Sequence, residues 1–174
     1  MLKIKNLTLA SDVLLGPMAG VTDLPFRRIC REYGCKTTTS EMISAKALHY
    51  QDKKTKLLLE KGEEEAPFIV QLFGSDPLIM AESAKKIEDM GIADVLDINM
   101  GCPAPKIVNN GDGSALMKDE ALAFEVTHAA ANAVSLPVTV KFRLGWDEEN
   151  INYLSFGKAM EQAGADALTL HART

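Results

Sequence analysis

The 174 residues suffice for one domain with its own hydrophobic core, and a chain 47% hydrophobic and 25% charged has the composition of an ordinary globular protein. A net charge of −5 gives no bulk attraction to nucleic acid, so any RNA contact needs a local basic patch or a further segment. No run of ~18 apolar residues exists, Met1–Lys5 opens no apolar leader, and Cys30, Cys35 and Cys102 form neither a C-x-x-C pair nor a ligand cluster. A reducing cytoplasm is the expected compartment, with no membrane span and no metal.

The first apolar run, Val13–Leu15, is read as a strand, and Gly16-Pro17-Met18-Ala19-Gly20 turns the chain after it. Thr22 and Asp23 ahead of Pro25 predict a helix start, with Gly34 as its stop. Strands are expected next over Thr37–Met42 and Phe68–Phe73. Asp76 and Pro77 open a helix with Met80, Ala84 and Ile87 on one face and Gly91 beyond it. Val95–Met100 reads as a strand, followed by the glycine-rich Asn109-Asn110-Gly111-Asp112-Gly113-Ser114, a plain turn or a loop over a site mouth. Asp119 precedes a helix carrying Leu122, Val126 and Ala129. Strand Val138–Leu144 follows, and Asn150 precedes a helix with Tyr153, Phe156, Met160 and Ala163, stopped by Gly164. Ala167–His171 is the last strand.

Strands alternating with helices imply βαβ units and a parallel sheet, hence an α/β fold. The runs carry apolar residues on both faces, as strands covered on both sides should. An open doubly wound sheet would favour G-x-G-x-x-G after its first strand, and the sequence there lacks that spacing. Polar residues instead mark the C-terminal ends of several strands: Gln71, Asn99, Lys141 with Arg143, and His171 with Arg173. A spacing of two keeps each pair on one face. Polar groups gathered from many strand ends describe the active face of a TIM (β/α)8 barrel. Closure needs eight strands, so the expectation is a barrel truncated after about six βα units, with 1–174 as its N-terminal part.

Asp97-Ile98-Asn99-Met100-Gly101-Cys102-Pro103 carries the clearest chemical signal: a strand ends, a glycine turns, and a thiol is presented beside a rigid proline. Cys30 and Cys35 read as small buried hydrophobes. A free thiol ionises near pH ~8.5, so at neutral pH Cys102 can act as a proton donor. The competing role, a thiolate nucleophile, calls for a histidine, and His171 is available. Lys141 lies inside a strand and needs an anionic partner, either Asp97 or Glu41 in an ion pair or a cofactor that becomes anionic. The amide of Gln71 suits a heterocycle edge or is satisfied within the fold.

Together, Gly16-Pro17-Met18-Ala19-Gly20-Val21-Thr22-Asp23, Thr39-Ser40-Glu41-Met42, Gln71-Leu72-Phe73-Gly74, Asp97 to Pro103, Gly113-Ser114-Ala115-Leu116, Val140 to Gly145 and His171-Ala172-Arg173-Thr174 resemble the bacterial tRNA-dihydrouridine synthases, particularly the B-type members. The resemblance runs from about residue 10 to the last residue. It implies an FMN-containing barrel that reduces chosen uridines of tRNA to 5,6-dihydrouridine with NADPH as electron source, acting as a monomer when full length. By position it implies that Pro17, Met18 and Ala19 lie against the flavin, with Gln71, Lys141 and His171 as further cofactor contacts. Asn99 and Arg143 would meet the uracil, and Cys102 would be the catalytic acid. It also implies further barrel units and a helical C-terminal domain. Many members carry a basic residue where this chain has Asn109-Asn110, a loss that Lys106 would partly offset. Two rival readings are a flavin barrel acting on a free pyrimidine, of the dihydroorotate-dehydrogenase type, and an inactive fragment.

Overall fold

The computed structural model describes residues 1–174, apart from the side chain of Lys54. An antiparallel hairpin that the sequence did not announce opens the chain, β1 (Lys3–Ile4) with β2 (Leu7–Thr8). All further strands run parallel: β3 (Thr38–Thr39), β4 (Ile43–Ser44), β5 (Phe68–Phe73), β6 (Val95–Met100), β7 (Val138–Arg143) and β8 (Ala167–His171). Their spatial order is β3–β5–β6–β7–β8, and β4 also pairs with β5. Between them lie α1 (Leu24–Glu32), α2 (Ala45–His49), α3 (Lys53–Leu58), α4 (Pro77–Met90), α5 (Pro105–Val108), a 3₁₀ turn over Gly113–Lys118, α6 (Glu120–Ala133) and α7 (Tyr153–Gln162). This is an α/β fold with a curled parallel sheet. The curl is evident because Val13–Pro17, ahead of the sheet, line one cavity with Thr139, Lys141 and Thr169 of β7 and β8.

The caps explain where the helices start. Asp23 accepts from the Phe26 amide, Asp76 from Leu78 and Ile79, and Asp119 from Leu122. Gly91 closes α4 in the left-handed region, at φ +65°. The start of α7 differs from expectation: Asn150 bonds the Asp147 carboxylate, and the helix begins after Asn152, whose amide reaches back to the Met117 carbonyl.

Two expected strands are altered. Only Leu15 of Val13–Leu15 pairs, in a single bridge to Thr38, and Val13 is exposed. The run Thr37–Met42 breaks into β3 and, past its end, β4, which lie one after the other along β5. Ser40 causes the break, because its hydroxyl accepts the Gln71 amide where a backbone carbonyl would otherwise sit.

Met80, Ala84 and Ile87 of α4, Val126 and Ala130 of α6, and Phe156 and Met160 of α7 are completely buried against the outward side chains Leu72, Ile98, Val140 and Phe142. Each large side chain so buried contributes roughly 1.5–3 kcal/mol. Leu168 and Leu170 of β8, expected to be covered, are 40% and 43% exposed, and the outer edge of β8 is unpaired among the described residues.

Ahead of the sheet's N-terminal ends sits a buried ion pair. Arg27 of α1, 2% exposed, donates to Glu65 at 2.6 Å and to the carbonyls of Thr22 and Glu60, and packs over the Phe68 ring. Glu65 also accepts from Thr38 and the Gly62 amide. Burial alone would raise the Glu65 carboxyl, but the bonds from Arg27, Gly62 and Thr38 outweigh it and hold it below its usual range. Among the described residues no helix is long and apolar enough to cross a membrane, and no cluster of His, Cys, Asp or Glu is placed to hold a metal ion.

Candidate active site

Strand register sorts the inward-facing polar residues into layers. Gln71, Asp97 and Thr139 are mutual neighbours on β5, β6 and β7; Asn99 and Lys141 form the next layer, and Arg143 and His171 the next. Where these strands end, a cavity of about 300 Å³ opens, lined by Pro17, Met18, Ala19, Gln71, Asn99, Cys102, Lys141, Arg143 and His171. Those are all of the site residues named from sequence. The cavity also takes in Met42, Gly101 and Pro103, which sequence reasoning had not assigned.

The Pro17–Ala19 segment is irregular but tied from two sides. The Thr22 hydroxyl accepts the Met18 amide and donates to the Met18 carbonyl. From the next βα unit, the Glu41 carboxylate accepts the Gly20 amide. Glu41, made available by the break between β3 and β4, was considered only as an ion-pair partner for Lys141, and it does not serve as one.

Cys102 sits just beyond β6. Asn99 fixes the turn: its Oδ1 accepts the amides of Gly101 at 3.0 Å and of Cys102 at 2.9 Å. The Cys102 carbonyl accepts the Ser114 amide. Gly113, at φ +61°, must be glycine, because a Cβ there would lie 2.6 Å from the Cys102 carbonyl oxygen. The glycine-rich segment therefore braces the cysteine turn from behind.

Gln71 lies completely buried at the floor, and its amide is already engaged by side chains: Nε2 donates to Asp97 at 2.6 Å, and Oε1 accepts from Asn99 at 2.9 Å. Arg143 donates from Nε to the Gly101 carbonyl and from a terminal nitrogen to the Thr174 carbonyl. Asp97 accepts from Thr139 as well as Gln71. Burial pushes its carboxyl up to about 6, against the downward pull of Gln71, Thr139 and the nearby Lys141 charge.

The ion pair suggested for Lys141 does not form. Among the described residues no carboxylate lies within 4.0 Å of its ammonium, because Asp97 is held by Gln71 and Thr139 and Glu41 by Gly20. Burial lowers the Lys141 ammonium, Asp97 partly restores it, and Arg143 lowers it further. Burial, followed by the charges of Lys141, Arg143 and Arg173, lowers His171, which favours neutral imidazole. No hydrogen bond joins His171 to Cys102 among the described residues. All three cysteines are free thiols, and Cys30 and Cys35 lie away from the cavity.

A family model described as dihydrouridine synthase (Dus) matches residues 14–174. The chain belongs to the dihydrouridine synthase family. A tRNA-dihydrouridine synthase B of Pseudomonas aeruginosa is 45% identical over 172 residues, which cover 99% of this chain and 52% of that protein. A probable tRNA-dihydrouridine synthase of Rickettsia bellii is 44% identical over 175 residues, 100% of this chain and 53% of that protein. A tRNA-dihydrouridine synthase B of Pseudomonas putida is 46% identical over 173 residues, 99% and 51% respectively. This dihydrouridine synthase chain thus spans about half the length of the curated relatives it matches. The cavity at the strand ends, with its braced thiol and unpaired lysine, is its candidate active site.

Proposed function

We propose that the protein reduces specific uridines of tRNA to 5,6-dihydrouridine, using FMN as its prosthetic group and NADPH as reductant. The observation that carries this reading is that the Cys102 turn and the unpaired Lys141 border the same cavity. Family membership and the tRNA-modifying names of the relatives support it. The curled sheet is then the first part of a (β/α)8 barrel, and the further length of the relatives corresponds to the remaining units and a helical domain. We place the working protein in the cytoplasm as a monomer.

The residues present suit a flavin. Burying an ammonium without a partner is unfavourable, and a ligand that carries negative charge removes that cost. Lys141 is such a group, with His171 beside it. The backbone of Pro17–Ala19, pinned by Thr22 and Glu41, offers a preformed wall. When bound, reduced FMN supplies the hydride for C6 of the uracil.

Cys102 gives its proton to C5, which needs an acid that stays protonated until that step. The absence of a Cys102–His171 hydrogen bond supports a proton donor over an imidazole-activated nucleophile. Asn99 and Arg143 keep N–H groups that the fold does not use, and we assign these to the uracil carbonyls. A uridine stacked in folded tRNA must leave the stack to enter, at about a few kcal/mol, which contacts to the RNA backbone have to supply.

The test is mass spectrometry of tRNA from cells lacking the gene. Loss of a two-hydrogen mass increment at defined uridines is expected. Unchanged tRNA, together with turnover of a free pyrimidine by the purified protein, would replace this reading with the rival one.

A further inference from the structure

Asp97 is the one ionisable group of the inner layers that does not reach the substrate side, and the reaction above does not use it. It is 5% exposed and sits in the middle of β6. Burying such a carboxylate costs stability unless hydrogen bonds or an opposite charge offset it. Its hydrogen bonds run in one direction. Thr139 and Gln71 both donate to it. Because the Gln71 nitrogen is drawn to Asp97, the Gln71 oxygen is left facing Asn99 and accepts from its nitrogen. Because the Asn99 nitrogen is drawn to Gln71, the Asn99 oxygen is left facing the turn, where it accepts both backbone amides of Gly101 and Cys102. A carboxylate can only accept, so it imposes an order on two amides, either of which could otherwise lie flipped.

We propose that Asp97 is a positioning residue: acting through Gln71 and Asn99, its acceptor-only carboxylate orients the turn that aims the Cys102 thiol into the cavity. This deepens the reading above and rests on it. The arrangement has a second effect. With both oxygens of Asp97 taken by neutral donors, Lys141 is not drawn into an internal ion pair and stays available to the cavity. Removing Asp97 therefore acts on the thiol side first. The Gln71 amide loses its reason to point one way, and Asn99 then spends part of its time with its nitrogen against the two amides of the turn, donor against donor.

The test is Asp97→Val in the protein, read by hydrogen–deuterium exchange of the Gly101–Cys102 amides against amides of β7 as an internal control. Exchange at the turn should quicken roughly tenfold, about what one lost hydrogen bond produces, with the β7 control unmoved. On tRNA, kcat should fall by a similar factor with KM little changed. Asp97→Asn keeps an acceptor for Gln71 but can itself lie flipped, so its exchange at the turn should fall between wild type and Asp97→Val. If Asp97→Val does not fold, Gln71→Met severs the same relay one link later and should give the same exchange signature. Unchanged exchange at Gly101 and Cys102 in a folded variant of either kind overturns the proposal. A wild-type protein inactive on tRNA overturns the functional reading instead, and leaves the exchange result to decide the role of Asp97.

Discussion

At the scale of single residues, the proposed function gives thiol and ammonium separable tasks. Cys102 is held by backbone contacts from Asn99 and Ser114 and needs no cofactor contact to stay in place. On the proposed function, Cys102→Ala should therefore purify with flavin bound and lose dihydrouridine formation by about 10²-fold or more, as removal of a general acid would. A variant that reduces tRNA at the wild-type rate would end the acid assignment. Lys141→Ala removes an inward ammonium that, among the described residues, has no internal carboxylate partner. Flavin content, measured by absorbance, should drop, or the rate of flavin reduction by NADPH should fall. A lysine whose loss alters neither would have no role toward the cofactor.

At the scale of elements, the buried pair between α1 and the segment before β5 dominates. Arg27→Ala strands Glu65 among donors too few to hold its charge, and should cost about 3–5 kcal/mol, read as a lower midpoint in denaturant. The pH dependence has a definite sign. The folded state holds Glu65 below its usual 4.5, so its contribution is present above the unfolded value and is lost as pH falls through the folded one. Glu65→Gln should flatten stability against pH in that acid range. The same elements show what the sequence could reveal. Phe68–Phe73, Val95–Met100 and Ala167–His171 read as strands at their true bounds because short, mainly apolar runs set between turn signals leave few alternatives. Thr37–Met42 misled, because the Ser40 amide still pairs with Ile69 while its hydroxyl takes the Gln71 amide, a contact set by a residue thirty-one positions later. The site residues were legible one by one from the ends of their strands. Their wiring was not: Asp97 looked like a partner for Lys141, and only the fold shows Gln71 and Thr139 reaching it first.

At the scale of the whole molecule, the sheet is curled, and among the described residues the outer edge of β8 has no strand partner. The outer edge of β8 offers unpaired backbone groups beside Leu168 and Leu170, a template for another strand. The 174-residue chain purified alone should associate as its concentration rises, and Leu168→Lys with Leu170→Lys should suppress this in sedimentation velocity. Uniform monomers at every concentration would show that the edge is not adhesive.

The Arg27–Glu65 pair lies before the strands begin, and the thiol turn lies after they end, with a full strand length of apolar packing between them. On the proposed function, a stabilising ion pair and the reacting thiol thus stand at opposite poles. On the proposed reading, a lineage can retune one while leaving the other untouched, and an engineer who wants a sturdier catalyst should start from the pole away from the cavity.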